Sequence, residues 1–234
     1  MSRVKRAILI AAGIGKRLRP VTLKTPKPLI SVNGKVIIQN SIDMLFANGI
    51  EDIYIVVGYK KEQFFDAFSS DPRIHIIENQ HYTEGNNITS IYPVREYLPE
   101  SFVLEGDILI NDSSILNPEM TESVYFASWK APETEWSFKV RNGCIEKCNK
   151  SGRETEYRMW GISMWTKDDG KRLSELIERE YNQGNWDIYW DELALFTYKD
   201  QFRLGIREIS NGVLMEIDTF DELKEIDRLY EKYD

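Results

Sequence analysis

Apolar runs and helix-like spacings alternate along the first half of the chain. Residues 7–12 are almost continuously apolar, as in a parallel strand that is covered on both faces. Ile38, Ile42 and Leu45 then recur at the spacing of one helix face. Strand, helix, strand and strand patterns follow at residues 52–57, 60–68, 73–77 and 102–104. This alternation predicts an α/β fold with a Rossmann-like, doubly wound and mostly parallel sheet, in which ligands bind beyond the carboxyl ends of the strands.

Strand patterns predominate in the second half, and Asn142-Gly143 between two of them predicts a hairpin. Helical patterns at residues 167–181 and 187–197 precede two further strands and an amphipathic helix that begins at about Phe220. No repeat or long linker divides the chain. We therefore expect residues 1–234 to form a single domain, whose second half is a strand-rich and helical elaboration that covers the active-site rim. The strand patterns of this half lie at residues 124–129, 136–140, 144–147, 157–165, 203–209 and 214–217.

The overall charge limits the kind of partner. A formal net charge of −8 argues against a nucleic-acid partner, which needs a basic face. No apolar run approaches the ~20 residues of a bilayer span, so we expect no membrane insertion and a cytoplasmic protein. Two cysteines without a neighbouring ligand cluster make a zinc site improbable. The oligomeric state is not readable from the sequence.

A basic loop follows the first strand of this acidic protein. Gly13 and Gly15 allow a tight turn that brings backbone N–H groups close to an anion. Several cations on the same loop suit a ligand with several negative charges, such as a polyphosphate. These cations are Lys16, Arg17, Arg19, Lys24 and Lys27.

The loop resembles the signature of the nucleotidyltransferase family that activates sugar phosphates and related phosphate esters. The matching residues are Ala11, Ala12, Gly13, Gly15, Arg17, Leu18, Pro20, Pro26 and Lys27. The resemblance implies that Arg17 contacts the β and γ phosphates and that Lys27 acts catalytically at the phosphates near the reacting centre. It implies that the nucleoside triphosphate is held by Ala11, Ala12, Gly13, Ile14, Gly15, Lys16 and Arg17.

Two acidic segments extend this resemblance across the chain. The sequence LEGD at residues 104–107 resembles the family's strand end with its first metal-binding aspartate, and EIDT at residues 216–219 its second. The resemblance thus implies that Asp107 and Asp218 bind Mg²⁺, which prefers a few carboxylates plus phosphate oxygens and water. The alternative is that these aspartates cap the helices that follow, a role that Thr219 is able to take in place of Asp218.

Within the family, the chain is most similar to short bacterial CTP:phosphocholine cytidylyltransferases. The sequence GNNITSIY at residues 85–92 and YWD at residues 189–191 carry this similarity. It implies that Asn87 and Ser90 lie near the nucleotide or the substrate. A turn with helix capping is the alternative for the asparagine pair.

All six tryptophans lie in the second half, several of them beside acidic residues. A quaternary ammonium is held by aromatic faces and a nearby carboxylate, since it donates no ordinary hydrogen bonds. We therefore expect an aromatic cage of Trp136, Tyr189 and Trp190, with Asp191 or Glu135 as the counter-charge. Core packing of these tryptophans is the alternative.

Together these features predict a Mg²⁺-dependent enzyme that joins CTP to phosphocholine, giving CDP-choline and pyrophosphate. The same chemistry on 2-aminoethylphosphonate or phosphoethanolamine is the nearest alternative. A sugar-1-phosphate nucleotidyltransferase is a second, and a non-catalytic nucleotide-sensing module is a third.

Overall fold

A nine-stranded sheet runs through the computed structural model of the chain, which describes residues 2–130, 134–152 and 156–233. In the first half of the chain, helices that cover both faces of the sheet alternate with its strands. We number them β1 Arg6–Ala11, β2 Asp52–Val57, β3 Ile74–Glu78, β4 Ser101–Glu105, β5 Val124–Trp129, β6 Ser137–Arg141, β7 Cys144–Asn149, β8 Tyr157–Trp165 and β9 Gly205–Glu208.

The strands of the first half are parallel, in the order β3-β2-β1-β4. Beyond β4 the sheet becomes mixed: β8 pairs antiparallel with β4 and β5, β6 and β7 form an antiparallel hairpin, and β9 runs parallel to β5. The hairpin turns at Asn142 and Gly143, whose φ values of 51° and 76° suit a tight turn. The α/β class is confirmed. The mostly parallel arrangement holds for the first-half strands, whereas the second half adds mainly antiparallel pairs, of which only β6 and β7 are joined by a short turn.

Five α-helices are described, and the helix predicted over residues 187–197 is only partly formed. Residues 191–192 are α-helical and continue directly into one π-helical turn, Leu193–Thr197. The backbone N–H of Trp190, just before this helical stretch, donates to Oδ1 of Asn87 at 2.9 Å. The helices are α1 Ile37–Ala47, α2 Glu62–Phe68, α3 Ile88–Ile91, α4 Lys167–Asn182 and α5 Phe220–Ile226.

A short antiparallel pair outside the main sheet brings distant acidic residues together. Strand Ile108–Ile110 follows directly after β4 and pairs with strand Leu214–Glu216, with Glu216 opposite Ile108. Asp107 and Glu216 therefore lie next to each other, although more than a hundred residues separate them. Two further short antiparallel pairs lie outside the main sheet: Ser2–Arg3 with Glu119–Met120, and Ser31–Val32 with Lys35–Val36.

The core lies on both faces of the sheet. Leu9 of β1 packs with α1 and α2 residues such as Ile42 and Phe64, whereas Ile8 packs on the opposite face with Trp165 and Leu173. Consecutive residues of β1 are thus buried on opposite faces, as a near-continuous apolar run requires. Within the described residues, no helix combines the length and apolar character needed to cross a membrane.

Asn40 on α1 fixes the backbone that follows Asp107. Its buried side chain accepts from the N–H of Ile110 at 2.7 Å and donates to the carbonyl oxygen of Ile110 at 3.1 Å. We expect Asn40→Ala to lower the free energy of unfolding by about 2–4 kcal/mol, because it leaves two buried backbone groups unpaired at about 1–3 kcal/mol each, less some relaxation.

Urea denaturation measures this loss. Gln39→Ala is the matched control, since Gln39 is the preceding residue of α1 and bonds Asp43 at the surface. Equal losses for the two variants would contradict the assignment.

Candidate active site

A cleft of about 750 Å³ lies beyond the carboxyl ends of β1 and β4. The basic loop forms one wall, residues 82–90 form a second, and the acidic strand ends form its floor. Lys27, Asp107, Asp218 and Tyr189 also line it. All the residues expected at the nucleotide line this cleft: Ala11, Ala12, Gly13, Ile14, Gly15, Lys16, Arg17, Asn87 and Ser90.

The basic loop is folded tightly against the segment that carries Lys27. Gly15 has φ +64°, and a Cβ there would lie 3.1 Å from Cβ of Lys27. Thr22 secures this turn by donating from Oγ1 to the carbonyl oxygen of Gly15 at 2.9 Å. Within the described residues, the backbone N–H groups of Gly13, Ile14 and Gly15 donate to no protein acceptor. The loop therefore offers free donors to an anion in the cleft.

Lys27 is the centre of the charged groups in this cleft. Its side chain is 8% exposed, and Nζ lies 2.7 Å from Oδ2 of Asp107 and 2.9 Å from Oδ1 of Asp218. Burial alone would lower the pKa of Lys27, but the two carboxylates outweigh it and raise that pKa above its usual range. Arg17 contacts Oδ1 of Asp218 at 3.0 Å, with its own side chain 68% exposed to the cleft. Lys27 is therefore a permanent cation at this site.

The expected pair of aspartates is brought together, with Thr219 as the cap of α5. Oγ1 of Thr219 accepts from the N–H of Glu222, and the Glu222 carboxylate accepts from the N–H groups of Asp218 and Thr219. The side chain of Asp218 is thus left to face Lys27. Burial would raise the pKa of Asp218, but the hydrogen bond and charge of Lys27 lower it.

Glu105 and Glu216 belong to the site, although the sequence analysis assigned roles to neither. Carboxylate oxygens of Glu105, Asp107 and Glu216 all lie within 4.8 Å of one another. Burial, reinforced by Asp107, raises the pKa of Glu216 to about 7 and that of Glu105 well above its usual range. The signal was present, since alternate residues of an extended strand point to the same face. Both acidic segments read acid-x-acid, at residues 105–107 and 216–218.

This cluster fits a divalent cation. Its ligands are carboxylate oxygens, which Mg²⁺ prefers. Oδ1 of Asp107 is buried and has no hydrogen-bond partner among the described residues. Three carboxylates crowded together repel one another. A cation between them would reduce this repulsion and would also give the buried Oδ1 of Asp107 a partner.

The wall of residues 82–90 is tied to the second half of the chain. Oδ1 of Asn87 accepts from the N–H of Trp190, and the N–H of Asn86 donates to the carbonyl oxygen of Trp186 at 2.7 Å. Ser90 accepts from the buried side chain of Asn79 at 3.0 Å. Asn87 begins α3 but makes no side-chain capping bond there. Its carboxamide instead connects the cleft wall to the segment that carries Tyr189.

Aromatic rings form a group beside this wall. The ring centroid of Trp136 lies 5.5 Å from that of Tyr189 and 5.7 Å from that of Phe196. Tyr189 also lines the cleft, so it links the cleft to the other two rings. Phe196 was missed by the sequence analysis, because the predicted helix gave no reason for its ring to meet Trp136.

The structure places Trp190, Asp191 and Glu135 differently from the expected cage. Trp190 is only 4% exposed and packs 6.0 Å from the ring centroid of Trp165 in the core. Asp191 is also buried, where it accepts a 2.9 Å hydrogen bond from the Tyr125 hydroxyl. Glu135 lies 3.6 Å from Arg158, which also contacts Glu216 at 2.8 Å. Of the expected cage residues, the structure brings Trp136 and Tyr189 together, and Tyr189 lines the cleft.

An open sheet with free loop amides, a buried lysine and clustered carboxylates at its strand ends defines an enzyme that handles phosphoryl groups. The pattern of the nucleotidyl transferase family matches residues 6–141, more than half of the chain, and the chain belongs to that family. The expected family, the α/β fold and the nucleotidyltransferase class of enzyme are thereby confirmed.

Cytidylyltransferases are among the relatives. A 2-aminoethylphosphonate cytidylyltransferase of Lancefieldella rimae is 36% identical over 96% of this chain and 92% of its own length. A choline-phosphate cytidylyltransferase of Streptococcus pneumoniae is 32% identical over 96% of this chain and 97% of its own length. The solved structure of CTP:phosphocholine cytidylyltransferase from Streptococcus pneumoniae aligns with a TM-score of 0.89 at 30% identity, covering 97% of this chain and 99% of the other.

Asp191 gives the fold a measurable pH dependence. Burial raises the pKa of Asp191 to about 7, so the folded chain binds this proton more tightly than the unfolded chain. Its contribution to stability is therefore present below about pH 4 and lost as the pH rises to about 7. Asp191→Asn keeps an acceptor for Tyr125 but removes the ionisation. We expect its free energy of unfolding to fall less steeply than that of the wild type between pH 5 and 8, by on the order of a few kcal/mol.

Urea denaturation across this range measures both slopes. Glu216 titrates in the same direction, but it is present in both proteins and cancels in the difference. Asp187→Asn, an exposed substitution in the same segment, should follow the wild type. Parallel curves for Asp191→Asn and the wild type would show that Asp191 is ionised in the folded protein at all these pH values.

Proposed function

We propose that this enzyme transfers CMP from CTP to phosphocholine, releasing CDP-choline and pyrophosphate. The proposal is carried by the group of Trp136, Tyr189 and Phe196 rings, in which the ring centroids of Tyr189 and Phe196 each lie within 6 Å of that of Trp136 and Tyr189 also lines the cleft. Ring faces stabilise an organic cation by about 0.5–2 kcal/mol each, even when the cation has no N–H to donate. The similarity to choline-phosphate cytidylyltransferase over nearly the whole chain also supports this acceptor.

The basic loop binds the triphosphate in this scheme. Free N–H groups of Gly13, Ile14 and Gly15 surround the phosphates, and Lys16 and Arg17 on the same wall add positive charge. Arg17 is suited to the β and γ phosphates because its guanidinium is exposed and already oriented by Asp218. Asn87 and Ser90 line the facing wall, where they limit the position of the nucleoside.

The transfer is an in-line displacement at the α phosphorus. A phosphate oxygen of the acceptor forms the new P–O bond as the bond to pyrophosphate breaks, with the electron pair leaving on pyrophosphate. A phosphate dianion is already nucleophilic at neutral pH, so no general base is required. Lys27 stabilises the charge that develops on the α-phosphate oxygens, and the loop holds the leaving pyrophosphate.

Mg²⁺ fits the same scheme at the acidic cluster. Glu105, Asp107 and Glu216 would hold the ion. Asp218 lies near them, because Lys27 contacts both Asp107 and Asp218. When bound, the ion would supply charge neutralisation for the triphosphate and the departing pyrophosphate.

A second candidate acceptor is 2-aminoethylphosphonate. A primary ammonium needs hydrogen-bond acceptors, and the Glu192 carboxylate is paired with Lys150 over the Trp136 and Phe196 rings, whereas Glu135 precedes Trp136 in the chain. The relative that is 36% identical bears this acceptor in its name. Both acceptors have an anionic group two carbons from an ammonium, so they share the proposed orientation in the cleft.

Acceptor choice is tested by pyrophosphate release with CTP and Mg²⁺. We expect the highest kcat/KM with phosphocholine, lower values with 2-aminoethylphosphonate and phosphoethanolamine, and the lowest with glucose-1-phosphate. Preference for the phosphonate would make the second candidate the function and leave the CTP site unchanged. Turnover of sugar phosphates alone would overturn both.

Lys27 is the residue whose loss should cost the most activity. Lys27→Met removes the cation at the reacting centre, and we expect kcat to fall by at least about 10²–10³-fold, as when one preorganised donor is removed. Lys24→Met is the control, because it removes the same charge from an exposed position three residues earlier in the loop. Circular dichroism confirms folding of both variants. A kcat of Lys27→Met within tenfold of the wild type would remove Lys27 from the mechanism.

A further inference from the structure

Lys150 occupies an aromatic cation site beside the cleft. Its Nζ lies 5.5 Å from the ring centroids of both Trp136 and Phe196, and 2.7 Å from Oε1 of Glu192. Two ring faces and one carboxylate are the groups with which proteins bind an organic ammonium. Tyr189 connects this site to the cleft, since it contacts Trp136 and lines the cleft. The site thus holds a cation that belongs to the protein.

Each carboxylate that flanks the rings already has a partner. Glu192 is paired with Lys150, Glu135 lies 3.6 Å from Arg158, and Asp191 is buried against Tyr125. An ammonium group that enters the aromatic site therefore finds no unpaired counter-charge among these three residues. It has to displace one of the protein's own cations.

Lys150 is the cation that is able to leave. Arg158 is held by two carboxylates, its side chain is 18% exposed, and its guanidinium lies 3.8 Å from the ring centroid of Trp160. Lys150 is 54% exposed and pairs with one carboxylate. A single exposed ion pair is weak, and a lysine side chain regains much conformational freedom on release.

We propose that Lys150 is a specificity-determining residue, whose ammonium occupies the site of Trp136, Phe196 and Glu192 in the free enzyme and is displaced by the ammonium of the acceptor. This inference rests on the proposed function for the class of acceptor. An acceptor with a cationic end recovers the ring and carboxylate contacts that Lys150 gives up. A sugar phosphate has no cation to exchange, so it leaves the site to Lys150.

The test measures cation binding separately from turnover. Choline and ethanolamine, which lack the phosphate, are titrated against the enzyme by ligand-observed NMR, and KM values are measured with the preferred acceptor and with CTP. In Lys150→Met we expect the dissociation constants of the cations and the acceptor KM to fall about three- to tenfold, with the KM for CTP unchanged, because an internal competitor is lost. Lys147→Met removes the same charge from an exposed position on β7 and should stay within twofold of the wild type.

A double-variant cycle assigns the effect to the rings. With Trp136→Leu already present, Lys150→Met should change cation binding by less than twofold, because the shared site is gone. Unchanged or weaker cation binding in Lys150→Met, or an equal gain in Lys147→Met, would overturn the proposal. The NMR titration decides this even if no acceptor is turned over with CTP, an outcome that would refute the proposed function on its own.

Discussion

The ion pair of Lys27 with Asp107 and Asp218 is the interaction on which the rest of the site depends. It joins three parts of the chain, with 191 positions between Lys27 and Asp218 alone. A lysine withdrawn from water needs compensation for its lost hydration, and here two carboxylates supply it. Each partner is in turn fixed by secondary structure: Asp107 by the end of β4, and Asp218 by the cap of α5. The fold and the charge arrangement thus stabilise each other.

The loop wall and the floor of the cleft carry opposite charges, and this limits the ligand that the cleft accepts. Lys16 and Arg17 lie on the loop, whereas Glu105, Asp107 and Glu216 lie on the floor. A bare triphosphate would be attracted by the loop and repelled by the floor. A triphosphate accompanied by a divalent cation matches both, because the phosphates meet the loop and the cation meets the carboxylates. Burial first, and then repulsion by Asp107, raises the pKa values of Glu105 and Glu216, and a cation on the floor would favour their charged forms.

Local sequence patterns predicted most helices and strands well, but they did not predict contacts between residues that are distant in the chain. The strands Asp52–Val57, Val124–Trp129 and Tyr157–Trp165 have the predicted bounds, because apolar runs and turn residues act over a few positions. The helix predicted over residues 187–197 begins only at residue 191, and a distant contact lies at its start: Asn87, about a hundred positions away, binds the N–H of Trp190.

The same contrast between local patterns and distant contacts applies to the site. A dense motif predicted the loop and Lys27, and two short acidic segments predicted Asp107 and Asp218, all of which line the cleft. The partners of the aromatic residues depend on how β6, β7 and the segment after α4 meet in space. Trp190 and Trp136 are equally aromatic, yet one is buried in the core and the other lies at the rim beside Lys150. Composition near a motif does not distinguish these two environments.

The two acceptors named among the relatives differ in the methyl groups on nitrogen and in a phosphate or phosphonate link, and those differences place opposite demands on one site. A trimethylated nitrogen gains from open ring faces and from the charge of a nearby carboxylate, but it donates no hydrogen bond to an acceptor oxygen. A primary ammonium gains most from an acceptor oxygen, as Lys150 does from Glu192. Both demands converge on the position of Nζ of Lys150, between the Trp136 and Phe196 rings and the Glu192 carboxylate. Under the proposed displacement, selectivity depends on how far Lys150 withdraws: complete withdrawal opens the rings, whereas a small shift exposes only the carboxylate.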